Sequence, residues 1–340
     1  MNGTIAKPRI PWLDSVRVVA CFLVCLIHAP IPREEGSLWL SAYNYLTAPS
    51  IGLFFMLSGA LIFPVRQPLS VYLPKKLKRI VLPLVFWSLV FVVWEVASGK
   101  IGTTERLRTL ALAPFHPVHG VYWFLYVLLG LYLFAPLVSG ALEKVSYSKY
   151  WLALWGLSLV MPYLNAWIPA AWPIRGDYYH ILSTFGGYMG YMVLGYYLRH
   201  HPISGKALLK KWLLPSALLI VLIPAYFMNG RYQAISNDML YGYLTINVAL
   251  LCVLYFTILQ LPLPCNRAVH KISGYLAPQT FGIYLIHIVV MRDALWLLWD
   301  TLYPSAPYGI QIPAVGLLTF AASWVAVKII SYTPISRYII

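Results

Sequence analysis

Apolar positions along this chain come in long blocks of about 20 residues, with no sustained alternation of polar and apolar positions. A helix of about 20 residues crosses the hydrocarbon core of a bilayer, whereas the strands of a membrane barrel alternate with period two. The blocks therefore predict membrane-spanning helices and exclude a barrel. About ten are expected, at roughly 12–31, 48–65, 80–98, 121–139, 150–169, 181–199, 212–229, 240–260, 279–298 and 309–331. Pro30, Pro64, Gly99, Pro169, Gly230, Pro262 and Pro304 punctuate many of their ends. The connecting loops are short, so chemistry has to sit inside the bundle or at its mouths. The fold class is all-α and polytopic, with a single transmembrane domain over residues 1–340.

Composition sharpens this picture. The chain is 60% hydrophobic and 10% charged, where a soluble domain carries about 25% charge. Its 13 Trp and 26 Tyr suit interfacial belts. A net charge of +15 raises the question of nucleic acid, but the placement of the charge argues otherwise. With the N-terminus in the cytoplasm, about 18 of the 25 Lys and Arg fall on the inner side. The acids Glu34, Glu35, Glu105, Asp177, Asp238, Asp293 and Asp300 fall on the outer side. The excess is a topology signal that puts both termini inside, and the expected partners are membrane lipids rather than nucleic acid. The first apolar run follows Lys7 and Arg9 as a signal peptide would. Arg17 interrupts it and no A-x-A site follows, so it reads as a retained span. Cys21, Cys25 and Cys252 lie in apolar runs and read as small buried hydrophobes rather than a disulfide or metal site.

Candidate chemistry begins in that first span, DSVRVVACFLVCLIH (14–28). Arg17 and His28 are eleven residues apart, which is about 16.5 Å along a helix and within about 20° of the same face. Asp14 is placed to pair with Arg17. The plain reading has Arg17 snorkelling to the inner interface and His28 sitting near the outer one. The functional reading has two stations on one stripe: a cation for an anionic group and a histidine for proton transfer. His287 lies mid-span in TFGIYLIHIVV, with Tyr284 three residues before it, and serves either a structural hydrogen bond or a substrate contact. Glu95 sits near the outer end of the third span beside Trp94.

LPKKLKRIVLP (73–83) reads as an inner loop that either anchors the topology or offers a phosphate patch through Lys75, Lys76, Lys78 and Arg79. No GxxxxGK[ST] or GxGxxG motif is present, so a conventional nucleotide-binding domain is not expected. Ser58-Gly59 in FFMLSGALIF reads first as a small-residue helix contact. His116 and His119 form an H-x-x-H pair without a third ligand, so an exposed loop is the better reading and no metal is expected. Arg175, Asp177 and His180 are outer-side groups that either contact a sugar or solvate a loop.

Taken in order, W-L-D-S-V-R (12–17), R-x10-H (Arg17, His28), FFMLSG (54–59), KKLKRIVLP (75–83), YWFLYVLLGLYLFAPL (122–137), GYMGYMVLGYYL (187–198) and GIYLIH (282–287) resemble the acyltransferase 3 family of integral membrane acyltransferases. The resemblance covers about residues 10–335 and is nearest to the stand-alone branch that O-acetylates enterobacterial common antigen and related polysaccharides. It implies transfer of an acyl group, commonly acetyl from acetyl-CoA, to a hydroxyl of a cell-envelope glycan or lipid-linked sugar. It also implies a bacterial cytoplasmic (inner) membrane location, with acetyl-CoA as co-substrate and no permanently bound cofactor. The family's essential arginine and histidine fall on Arg17 and His28, and its basic inner-loop position on Lys78 or Arg79. His28 is then the general base, and Arg17, Lys78 and Arg79 bind the donor. The extended pantetheine arm of coenzyme A has a length comparable to the Arg17–His28 offset. Asp14, Ser58, Trp123, Tyr284 and His287 are further candidate substrate or oxyanion contacts. The family's acid partner for the histidine has no clear match, since Pro30 and Pro32 precede Glu34 and Glu35. The alternative reading is a transporter or flippase for an anionic or lipid-linked substrate.

Overall fold

The computed structural model describes residues 9–29, 38–99, 102–167, 186–208, 240–303 and 305–340. Among these, every regular element is a helix. The first, α1 (Pro11–His28), opens on a proline in its first turn, carries Asp14 near its N-terminus and ends on His28. Proline in the first turn lacks only a donor that would be unsatisfied there, and the Asp14 carboxylate near the N-terminus complements the helix dipole. α2 (Leu38–Thr47) and α3 (Pro49–Ile62) follow one another across Ala48, with Pro49 starting the second. The predicted span at 48–65 therefore begins about ten residues earlier than expected.

α4 (Leu69–Ala97) also starts early. The segment at 73–83 is not a loop but the first turns of this 29-residue helix, with Pro74 and Pro83 inside it. Lys, Arg and Leu are good helix formers, and a proline near a helix start removes little. The basic residues are thereby fixed on a rigid rod. α5 (Thr103–Ala111) is short. A single 3₁₀ turn at Gly120–Tyr122 leads into α6 (Trp123–Leu142) and then α7 (Val145–Trp167). α8 (Met189–His200) is the described part of the predicted span at 181–199, while the predicted span at 212–229 lies outside the described residues. After α9 (Gly205–Leu208) come α10 (Ile246–Gln260) and α11 (Pro264–Leu276).

The predicted span at 279–298 is broken into pieces. A 3₁₀ turn (Ala277–Gln279) precedes α12 (Thr280–Val289), a π-helical turn covers Val290–Leu295, and α13 (Trp296–Leu302) completes it. α14 (Tyr308–Ile330) and α15 (Ser336–Ile339) end the chain. Six stretches are long and apolar enough to cross a membrane among the described residues, against the ten expected.

α1 sits at the centre, packed against α3, α10, α11, α12 and α14. Cys21, Cys25 and Cys252 are buried, as their apolar surroundings predicted. α3 and α8 approach most closely, and glycine permits it. A Cβ at Gly59 would strike the Met192 carbonyl, and one at Gly195 would strike the Met56 carbonyl. The Arg199 guanidinium donates to the Ala60 carbonyl across the same seam. Val85, Leu89, Val90 and Val93 on α4 and Leu317, Leu318, Val325 and Ile329 on α14 point outward. An apolar outer surface of this kind is what contact with lipid requires.

Candidate active site

α1 carries Arg17 near one end and His28 at the other, as the spacing predicted. Asp14 does pair with Arg17, but loosely. Arg17 Nη1 is 3.8 Å from Asp14 Oδ1, while Arg9 Nε is 2.5 Å from Asp14 Oδ2. Arg9 also donates to the Gly274 carbonyl at 2.6 Å. Asp14 is thus held mainly by Arg9, and its side chain is 10% exposed. Arg17 keeps most of its guanidinium for something else, and that is a cavity.

The cavity has a volume of about 210 Å³ and is lined by Arg17 from α1, Ser58 from α3, Lys76 and Arg79 from α4, Tyr132 from α6 and Tyr284 from α12. Three cations from two helices face one space, with Asp14 the nearest acid and already shared with Arg9. Such a space suits an anion, and guanidinium forks match phosphate geometry. Ser58 follows from its neighbour: Gly59 must face α8, and one residue on a helix is about 100° of rotation. Ser58 therefore turns away from α8, and its Oγ lies 3.4 Å from the Tyr132 hydroxyl. Lys76 rests over the Tyr132 ring at 5.1 Å and the Tyr72 ring at 5.9 Å.

Lys78 does not join this group. It stands over the Tyr338 ring at 5.8 Å, and Lys76 takes the place the sequence reading gave it. The reason is the helix itself: residues 76 and 79 share a face at i,i+3, and residue 78 does not. Trp123 is likewise placed apart, packed against Tyr188 at 5.6 Å and Tyr243 at 5.8 Å.

At the other end of α1, His28 meets His287, with ring centroids 5.2 Å apart. This contact brings together two histidines 259 positions apart that sequence reasoning treated separately. The Nδ1 atom of His28 bonds the Val24 carbonyl at 2.8 Å, and that of His287 bonds the Tyr284 carbonyl at 2.6 Å. A carbonyl only accepts, so both Nδ1 atoms donate, and in the neutral ring the lone pair is then at Nε2. His287 is fully buried and its Nε2 has no hydrogen-bond partner among the described residues. This tautomer makes Nε2 of either ring a base, not a donor to an oxyanion.

α12 joins the two ends. Thr280, Phe281 and Tyr284 line the cavity, and His287 follows three residues after Tyr284. The Tyr284 hydroxyl donates to the Val121 carbonyl, and in return the Tyr122 hydroxyl donates to the Leu285 carbonyl at 3.0 Å. This reciprocal brace fixes α12 against the start of α6, and it commits the Tyr284 hydroxyl that had been a candidate oxyanion contact. The sequence held no sign of it beyond two tyrosines in apolar runs.

His116 and His119 diverge: His116 is exposed and bonds the Pro117 carbonyl at 3.1 Å, while the His119 ring packs on Phe91 at 4.7 Å. Glu34, Glu35, Arg175, Asp177 and His180 lie outside the described residues.

A search of curated proteins found no match, and a search of solved structures found none. The acyltransferase 3 family model, described as an acyltransferase domain, matches residues 10–328. That match takes in the cation-lined cavity, the α1 stripe and the histidine pair together. The chain belongs to the acyltransferase 3 family and is a multi-pass membrane acyltransferase.

Proposed function

We propose that the protein moves an acetyl or related acyl group from acetyl-CoA to a hydroxyl of a cell-envelope glycan or glycolipid at a bacterial inner membrane, as in the stand-alone O-acetylating branch of the family. The observation that carries this reading is the cavity bearing Arg17, Lys76 and Arg79, joined through α12 to the His28–His287 pair. The cations receive the phosphates of coenzyme A at the cytoplasmic end. The acyl-pantetheine arm runs along α1 toward His28, over the distance that eleven residues of helix provide.

His28 Nε2 then accepts the proton of the acceptor hydroxyl. The hydroxyl oxygen forms a bond to the acyl carbon, the carbon–sulfur bond breaks, and the coenzyme A thiolate takes the proton from the imidazolium. The products are an ester and free coenzyme A, and no other reactant is needed. The family match gives the transporter reading no support.

Two measurements test the proposal. Radiolabelled acetyl-CoA, purified protein and a panel of envelope glycans should give a labelled ester with the intact chain and not with His28→Ala. Equilibrium binding of coenzyme A should weaken in Arg17→Ala and Arg79→Ala while staying intact in His28→Ala. Full transfer by His28→Ala, or unchanged coenzyme A binding by both arginine variants, sinks it.

A further inference from the structure

Asp14 stands between two arginines, and they hold it unequally. Its side chain is 10% exposed, so its carboxylate needs a cation at close range. Arg9 Nε lies 2.5 Å from Oδ2, a charge-assisted hydrogen bond. Arg17 Nη1 lies 3.8 Å from Oδ1, too far for one. Yet Arg17 is the residue that helical spacing pairs with Asp14, three positions along α1. Arg9 precedes the helix and folds back over its first turn to take the carboxylate.

What keeps Arg9 in this place is α11. Its Nη2 donates to the Gly274 carbonyl at 2.6 Å, in the last turn of that helix. The amide that would ordinarily donate to this carbonyl is four residues on. That residue is Pro278, which has no N–H, so the carbonyl is open to Arg9. Ser15 Oγ lies 2.8 Å from His270 Nδ1, a second tie between α1 and α11 beside Asp14. Directly after α11, Ala277 and Pro278 line the cation-bearing cavity. Arg9 itself is exposed and lies outside the cavity lining. Its planar fork spans Asp14 and the end of α11 from outside the space that Arg17 faces.

We infer that Arg9 is a positioning residue for the donor phosphates: it engages Asp14 and so leaves the Arg17 guanidinium free for an anion. The inference rests on the reading of the cavity as the coenzyme A site. An arginine locked to a buried carboxylate has its fork occupied and its charge offset, so it binds phosphate weakly. Without Arg9, the desolvated Asp14 carboxylate turns to the other cation beside it, which is Arg17. A small side-chain rotation closes 3.8 Å to hydrogen-bond distance and withdraws the guanidinium from the cavity. Asp14 is then a competitor of the phosphate that Arg9 keeps occupied, and not the group that orients Arg17. An orienting Asp14 would make its removal weaken anion binding, whereas a competing Asp14 makes its removal harmless or favourable.

Equilibrium binding of coenzyme A and of inorganic pyrophosphate to the full chain in detergent tests this. Arg9→Gln should weaken both roughly tenfold. Adding Asp14→Asn to Arg9→Gln should restore both, because no carboxylate is left to draw Arg17 away. Asp14→Asn alone should bind both probes as tightly as the unaltered chain, or more tightly. Lys271→Gln, exposed on α11 and outside the cavity lining, removes the same charge as Arg9→Gln and should change neither. Thermal unfolding verifies that each variant is folded. If Arg9→Gln alone does not fold, the single Asp14→Asn and the double variant carry the test. Weaker binding by Asp14→Asn, no rescue in the double variant, or equal losses in Lys271→Gln and Arg9→Gln overturns the inference. Pyrophosphate binding that follows the expected pattern without coenzyme A binding rejects the proposed donor alone. Coenzyme A binding that ignores the pattern rejects the role of Arg9 alone, and binding of neither probe rejects both.

Discussion

His28 and His287 touch, yet they differ in exposure and in what each can reach. His28 is half-buried, while His287 is fully buried and its Nε2 has no partner among the described residues. The base that meets the acceptor is the one with access, so His28→Ala should reduce transfer by about 10²–10⁴, the usual worth of a positioned base. His287→Ala should reduce it less and leave coenzyme A binding alone; equal losses would mean that the roles are shared or exchanged. Tyr284→Phe separates structure from chemistry. It removes the donor to the Val121 carbonyl and should cost about 1–3 kcal/mol of stability, measured by thermal unfolding in detergent. A variant of normal stability with abolished turnover would return Tyr284 to the oxyanion role. On α4, Lys76→Ala should weaken coenzyme A binding and Lys78→Ala should not, because the cavity face carries residues 76 and 79. Arg17→Ala or Arg79→Ala should each cost about 1.5–3 kcal/mol, or roughly 10- to 100-fold in Kd. Arg17 and His28 were legible in the sequence because one helix holds both and its rise is known. The choice between Lys76 and Lys78 was not, because a segment taken as a loop has no face to count from. Nor was His287 as the neighbour of His28, since contact between α1 and α12 is a property of packing.

Helices determine which of these side chains can meet. The seam between α3 and α8 depends on Gly59 and Gly195, each pressed against a backbone carbonyl that cannot rotate aside. Gly59→Ala should force the helices apart and cost about 1–3 kcal/mol or more, the range for overpacking a tight contact. It should also displace Ser58, the adjacent residue on the cavity wall, so coenzyme A binding should fall together with stability. Gly130→Ala on α6, where an added methyl meets nothing, should change neither, and loss of folding there would contradict the packing account. The sequence signalled the seam through Ser58-Gly59 in an apolar run, since small residues are how helices approach in lipid. It did not signal the breaks in 279–298, because uninterrupted apolarity specifies a span but not the winding within it. The π turn belongs to the folded chain, where Trp94 of α4 donates to Asp293 within it.

The whole molecule has a direction. The cavity with Arg17, Lys76 and Arg79 lies toward one end of α1, and the His28–His287 pair lies at the other. Acyl-coenzyme A is made in the cytoplasm, so the proposed reaction works only if the cation-lined end faces inward. The distribution of Lys and Arg along the sequence, which counts the cavity's own cations among the inner-side residues, predicts the same orientation through the positive-inside rule. Single cysteines in a chain whose exposed native Cys265 is replaced by serine would check it. Phe115→Cys sits in the exposed segment before α6, close to the His119 end, and should react with a membrane-impermeant maleimide in spheroplasts. Lys78→Cys, on the α4 turn behind the cavity, should react only after the membrane is opened. The reverse pattern would place the donor cavity outside, away from any coenzyme A, and the proposed donor would have to be abandoned even with every residue of the site intact.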